Sequence, residues 1–194
     1  CLGRSSIVTL TGVGGVGKTR LAISVAERVV DHYPDGVYFL DVQVVADPAV
    51  LPVAIQSQLG LVTQSGRSVT DSVVDAFSGR RALLVLDNCE HVLDASVEWS
   101  CEFTERTTTT QLLVTSREAL HVHGEVTHVV RPLEAAGGEH APAIALLVDR
   151  ARAVAPRFRL AAGELGVAQE VCERLDGVAL AIELAAARLS SMGI

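Results

Sequence analysis

Lysine is almost missing from this sequence. Of its sixteen basic residues fifteen are Arg, and the single lysine is Lys18, inside GVGGVGKT at residues 12–19. A chain that uses guanidinium everywhere else and ammonium once points to a site that needs a compact, strongly hydrated charge. The four cysteines (Cys1, Cys89, Cys101 and Cys172) form no CxxC pair. That spacing fits free thiols in a reducing cytoplasm better than a zinc site or a disulfide frame, with Cys172 as plain core. His121, His123 and His128 show no metal-ligand pattern either. No apolar run approaches the roughly 20 residues of a membrane span, since Glu183 and Arg188 interrupt residues 178–189. A basic segment followed by an apolar one, the mark of a secretory leader, is also absent, and the opening Cys1 in place of Met leads us to expect a segment of a longer protein. Positive charge is in deficit: the net charge is −7 and the pI about 5.3, which argues against a nonspecific grip on a nucleic-acid backbone.

What is present is ample for a core. With 194 residues, 49% hydrophobic and 20% charged, the chain can build one large or two small domains. Residues 1–139 carry 17 acids and 10 bases, whereas 140–194 carry six of each. This shift suggests a boundary near Gly137 and Gly138. Five short runs rich in β-branched residues (7–11, 37–41, 82–86, 111–115 and 126–130) alternate with amphipathic stretches, the pattern of a parallel sheet wrapped by helices. The spacing predicts helices over 18–32, from the Asp47 cap and Pro48 to about Leu59, around Val69 to Phe77, and from about His91 to Arg106. Beyond Gly138 only helical spacing remains: Ile144 to Val154, Val167 to Leu175, then Gly177 as a helix C′ residue and an Ala-rich helix over 179–189. The expected organisation is an α/β core over 1–138 followed by a helical subdomain over 139–194.

The strand at 7–11, the Gly-rich loop and a helix opening at Lys18 and Thr19 stand in the order that a phosphate-binding loop requires. There the backbone amides of Gly12, Val13, Gly14, Gly15, Val16 and Gly17 would curl around phosphate, with the glycines allowing positive φ. Lys18 would neutralise the oxygens, and the Thr19 hydroxyl would coordinate Mg²⁺. The alternative, a mere Gly-rich turn, does not account for the lone lysine. A second acid is expected at the end of a buried strand, and ALLVLD (82–87) supplies Asp87 to orient a metal-bound water; the alternative is a cap on the next helix. Asn88 follows it. An amide orients water without accepting its proton, so hydrolysis should be slow unless Glu90 substitutes; Glu90 could instead satisfy amides in a first helical turn. Arg117, closing the fourth strand in TSR (115–117), can reach a γ-phosphate; the alternative is a surface pair with Glu118 or Glu125. The basic residues Arg150, Arg152, Arg157 and Arg159 read as a solvated face or as a surface meeting the acidic core.

TLTGVGGVGKTRLA (9–22), ALLVLDNCEHVLDA (82–95), LLVTSREAL (112–120), DRARAVAPRFRL (149–160) and DGVALAIELAAARL (176–189) together resemble the NB-ARC-like nucleotide-binding domain of STAND-class P-loop ATPases. The version in bacterial LuxR-type and SARP-type transcriptional regulators, some with a nucleotide cyclase domain, is the most similar. The resemblance implies a five-stranded parallel sheet ordered 5-1-4-3-2, a helical lid, and a switch closed with ADP and open, self-associating, with ATP. By matching position Lys18 and Thr19 are the Walker A pair, with Arg20 beside them; Asp87 is the Walker B acid and Arg117 the sensor. Two departures stand out. Ala179 occupies the place of the proline that packs near adenine in the family's GLPLA motif. The family's hydrophobic-Gly-Arg-Glu segment lies about twenty residues before the first strand, whereas Leu2, Gly3 and Arg4 sit almost against Ile7, so the true segment is expected to be missing.

The expected function is an ATP/ADP-binding, Mg²⁺-dependent regulatory switch with slow hydrolysis in a cytoplasmic signalling protein. DNA would be met only through a helix-turn-helix domain outside this chain, alongside sensory repeats or a cyclase; a membrane is not an expected partner. The alternative is an interaction module whose nucleotide site has decayed. A turnover enzyme is disfavoured by Asn88, and GTP by the lack of an NKxD-like motif.

Overall fold

The computed structural model describes residue 2, residues 5–62 and residues 66–192. Cys1, and the Gly3 and Arg4 that the family comparison singled out, lie outside the described residues. The chain divides into two compact units, one of residues 1–12 and 18–129 and one of residues 13–17 and 130–194.

The first unit is built on β1 (Ile7–Thr11), α1 (Lys18–Val29), β2 (Val37–Asp41), α2 (Leu51–Gln58), α3 (Val69–Phe77), β3 (Leu83–Asp87), α4 (Leu93–Arg106), β4 (Gln111–Thr115) and β5 (Glu125–Val129). All four strand pairings are parallel, in the order β2-β3-β4-β1-β5. Read from the other edge, this is the expected 5-1-4-3-2. The central β3 is apolar on both faces until its last residue, because a parallel sheet is covered on both sides. Ile7, Leu40, Leu84, Leu86, Leu112 and Val114 pack with Leu51, Ile55, Val73, Phe77, Trp99 and Phe103 of α2, α3 and α4. The alternate residues Val8, Leu10, Leu83, Val85 and Leu113 are buried on the opposite face, where Ala22 and Ala26 of α1 are also buried. Each fully buried Leu contributes about 2 kcal/mol of transfer free energy.

Two strand boundaries differ by one residue from the periodicity. β3 starts at Leu83, whose N–H donates to the Gly36 carbonyl at 3.1 Å, and runs on to Asp87 because Asp87 pairs with Asp41 of β2. β5 starts at Glu125 because Glu125 pairs with Ile7. Partners, not composition, set these ends. The helix expected from His91 begins at Leu93, after a 3₁₀ turn over Cys89–His91. Its Glu98, Glu102 and Glu105 face solvent as their spacing suggested. Asp47 caps the turn before α2, accepting from the Ala49 N–H at 3.0 Å with Pro48 next in line.

The second unit holds α5 (Pro142–Val154), α6 (Leu165–Arg174) and α7 (Ala179–Met192) around Ile144, Leu147, Ala151, Ala168, Cys172, Ile182 and Ala186. Gly177 is not the C′ residue of α6. Asp176 holds that position at φ +52°, and Gly177 follows at +64°. The Asp176 N–H donates to the Glu173 carbonyl at 2.9 Å and the Gly177 N–H to that of Cys172 at 3.0 Å, the two bonds of a Schellman motif. Arg150 pairs with Asp149 and Glu183, while Arg152, Arg157 and Arg159 are exposed. Among the described residues no helix is long and apolar enough to cross a membrane.

Candidate phosphate-binding site

β1 delivers the chain into the glycine-rich loop, and α1 takes it up again at Lys18. Gly12, Gly15 and Gly17 adopt positive φ of 147°, 75° and 107°. Gly14 does not, so the expectation of positive φ at all four glycines holds for three. Val13 is exposed and Val16 buried. Lys18 is buried, and its Nζ donates to the Gly12 carbonyl at 2.9 Å. The ammonium is therefore folded back over the start of the loop. Arg20, in the first turn of α1, is exposed.

Asp87 ends β3 as a buried carboxylate, 2% exposed. Thr19 Oγ1 lies 2.9 Å from each of its oxygens, Thr115 Oγ1 donates to Oδ1 at 2.6 Å, and the Asn88 amide donates to Oδ2 at 3.0 Å. Burial pushes the Asp87 carboxyl above its ordinary range; the Thr115 and Thr19 hydrogen bonds pull it down, and the charges of Asp41 and Glu90 push it up again. A buried carboxylate supported by hydroxyls and an amide, beside two further acids, is a place where a cation is favourable. Thr19 and Asp87 are hard oxygen donors, and few in number, which suits Mg²⁺ better than softer metals. Groups of three or more His, Cys, Asp or Glu residues able to hold a metal by themselves are absent among the described residues.

Glu90 lies in the 3₁₀ turn after β3. Its side chain is 19% exposed and its Oε1 is 3.4 Å from Arg117 Nε; Oε2 is buried without a hydrogen-bond partner. Arg117, just past β4, is 68% exposed. It pairs with neither Glu118 nor Glu125, the neighbours that sequence offered. Glu125 instead accepts the N–H groups of Leu120 and His121 at 2.9 and 2.8 Å. The first unit thus gathers Lys18, Thr19, Asp87, Glu90 and Arg117 around the ends of β1, β3 and β4. Sequence reasoning missed Thr115 and the inward turn of the Asn88 amide. A hydroxyl at the end of the strand beside β3 was the available signal for the first.

In the second unit the Gly15 carbonyl accepts the Leu180 N–H at 3.0 Å. A Cβ at Gly15 would stand 2.8 Å from Leu180 Cβ, so glycine is required there by close approach as well as by φ. Ala179, the half-buried first residue of α7, precedes this contact.

Comparison with known proteins gives a consistent family. Residues 3–122 match the AAA domain family. The chain is 40% identical over 191 residues to the "Putative HTH-type transcriptional regulator Rv0890c" of Mycobacterium tuberculosis, covering 98% of this chain and 21% of that protein. The chain thus spans about a fifth of the length of the curated relative it matches. Among solved structures, a Pyrococcus horikoshii signal transduction ATPase with numerous domains and a tetratricopeptide repeat sensor aligns with a TM-score of 0.55 at 15% identity, over 90% of this chain and 26% of that one. Cdc6p from Pyrobaculum aerophilum aligns with a TM-score of 0.60 at 16% identity, over 96% of this chain and 56% of the other. At such identities the likeness concerns the fold, that of a P-loop NTPase.

Proposed function

The chain belongs to the AAA domain family, and from that premise we propose that it is the ATP/ADP-binding switch of a bacterial transcriptional regulator, hydrolysing ATP slowly. The observation that carries this reading is the constellation of Lys18, Thr19 and Asp87 at the end of a buried parallel sheet. Residues 12–19 cradle the phosphates, with Arg20 at the rim. Lys18 leaves the Gly12 carbonyl for phosphate oxygens. Thr19 and Asp87 hold Mg²⁺, which supplies charge neutralisation for the phosphates. Arg117 reads the γ-phosphate, and residues 139–194 act as a lid on the core of residues 1–138, with Ala179 near the base. The similarity to an HTH-type regulator of about five times this length supports DNA contact through a separate helix-turn-helix domain. The NB-ARC-like, LuxR- or SARP-type assignment, a cytoplasmic location, partner cyclase or sensory-repeat domains, and ATP-driven self-association belong to the same reading.

Titration of Mg-ATP into the protein and its K18A variant tests it. A loss of affinity of about 100-fold in K18A, equal to about 2.8 kcal/mol, is expected, and equal affinities would sink the site. Ala179 in place of proline favours a second reading, an interaction module without nucleotide. Tight, Lys18-dependent ATP binding would exclude it.

A further inference from the structure

We propose that Asp41 is the general base for ATP hydrolysis in this chain, an inference that rests on the nucleotide reading above. Asp41 and Asp87 are register partners at the C-terminal ends of the adjacent parallel strands β2 and β3. Residues in register carry their side chains on the same face of a sheet, about 4.8 Å apart. That face is the one α1 covers, since Val37, Phe39 and Val85 line a groove with Ile23 and Ala26 of α1, and Thr19 meets Asp87 from it. The Asp41 charge acts on Asp87, as proximity requires.

The position is built rather than incidental. β2 is an edge strand, whose outward backbone groups would otherwise face solvent. At Asp41 the Gln58 side chain takes the place of a neighbouring strand: the Asp41 N–H donates to Gln58 Oε1 and Gln58 Nε2 donates to the Asp41 carbonyl, both at 2.9 Å. The side chain is fixed as well, with Oδ1 accepting from the Gln43 N–H at 2.9 Å. Oδ2 has no hydrogen-bond partner among the described residues. Two of the competing groups are committed elsewhere: Asn88 cannot accept a proton and turns its amide to Asp87, and Asp87 accepts hydrogen bonds from three side chains. Glu90, with one oxygen 3.4 Å from Arg117 and the other buried without a hydrogen-bond partner, is the competitor that the E90Q variant tests.

In the step assigned to it, Asp41 takes a proton from water as the water oxygen forms a bond to the γ-phosphorus. The bond from that phosphorus to the β,γ-bridging oxygen breaks, its electron pair leaves with ADP, and inorganic phosphate is released. Nothing is oxidised or reduced.

The test compares parent, D41N, D41E and E90Q by Mg-ATP affinity, single-turnover phosphate release and thermal unfolding. D41N is expected to fold, to bind Mg-ATP within about 2-fold of the parent, and to release phosphate about 100-fold more slowly. D41E, which restores a carboxylate, recovers part of the rate, and E90Q changes it less than D41N. Parent-like release by D41N, a loss of affinity that matches its loss of rate, or a larger defect in E90Q would each overturn the assignment. Lys18-dependent ATP binding with an unaltered D41N rate removes this inference alone, whereas absence of that binding in the parent removes the nucleotide reading first.

Discussion

Arg117 Nε stands 3.4 Å from Glu90 Oε1, tying the end of β4 to the turn that follows β3. With the guanidinium largely in solvent, this pair adds at most about 0.5 kcal/mol to stability. Its significance is that both members are candidates for nucleotide chemistry, so a γ-phosphate competes with Glu90 for Arg117. R117A is expected to leave the thermal midpoint nearly unchanged while lowering the preference for ATP over ADP about tenfold, measured by parallel titrations. A large drop in stability with an intact preference would make Arg117 a structural residue.

Sequence reasoning reached Glu90 and Arg117 separately but could not pair them. It sought partners for Arg117 nearby, yet adjacent Glu118 cannot fold back on it and Glu125 is used to cap the backbone at Leu120 and His121. The strands were legible because each is a dense apolar run, and β1, β2 and β4 begin and end where periodicity put them. The proximity of Thr19 to Asp87 was legible only through the ligand, because a Mg²⁺-nucleotide site calls for a second acid at the end of a buried strand. Asp41 was not. Its relation to Asp87 depends on the register of strands 46 residues apart in sequence, and one residue of slip would have turned it to the other face.

Asp87 gives a pH signature. Its carboxyl is held above the ordinary range, chiefly by burial, so the folded chain binds that proton more tightly than the unfolded one. The stabilisation is fully present below the unfolded pKa, about 4, and is lost as pH rises through the higher folded value. D87N has no such loss. The ligand-free variant should therefore gain on the parent as pH rises from about 4 to 7, while its Mg-ATP affinity falls. Parallel denaturant titrations across that range check the sign, and a difference constant with pH would contradict it.

Two helix-terminal glycines should respond differently to alanine. Gly79 follows α3 at φ +73° with nothing within 4 Å of an added Cβ, whereas at Gly177, φ +64°, that Cβ would sit 2.1 Å from the Leu133 carbonyl oxygen. Backbone conformation alone costs G79A about 1 kcal/mol. G177A bears the same strain and must also displace Leu133, whose N–H donates to the Gly177 carbonyl at 2.9 Å, so about 3 kcal/mol is expected. Chemical denaturation of both variants measures the gap, and equal losses would mean that the 130–134 segment moves aside freely.

Asn88 is constrained by backbone as well as by chemistry. It adopts φ +67° and ψ +44°, a left-handed conformation that Asn tolerates better than most residues. Its N–H donates to Thr115 Oγ1 at 3.0 Å while its amide reaches Asp87, so that conformation keeps one residue bonded to two strand ends. N88A and N88G both delete the amide and differ chiefly in their cost at positive φ, so N88A should be less stable than N88G by about 1 kcal/mol. A glutamate meets the same backbone cost and adds a third charge beside Asp87 and Glu90. N88E is therefore expected to be destabilised more than N88A and to hydrolyse ATP no faster than the parent. Faster phosphate release by a stable N88E would show that this turn accepts a base where the chain carries an amide, and that chemistry rather than conformation keeps Asn there.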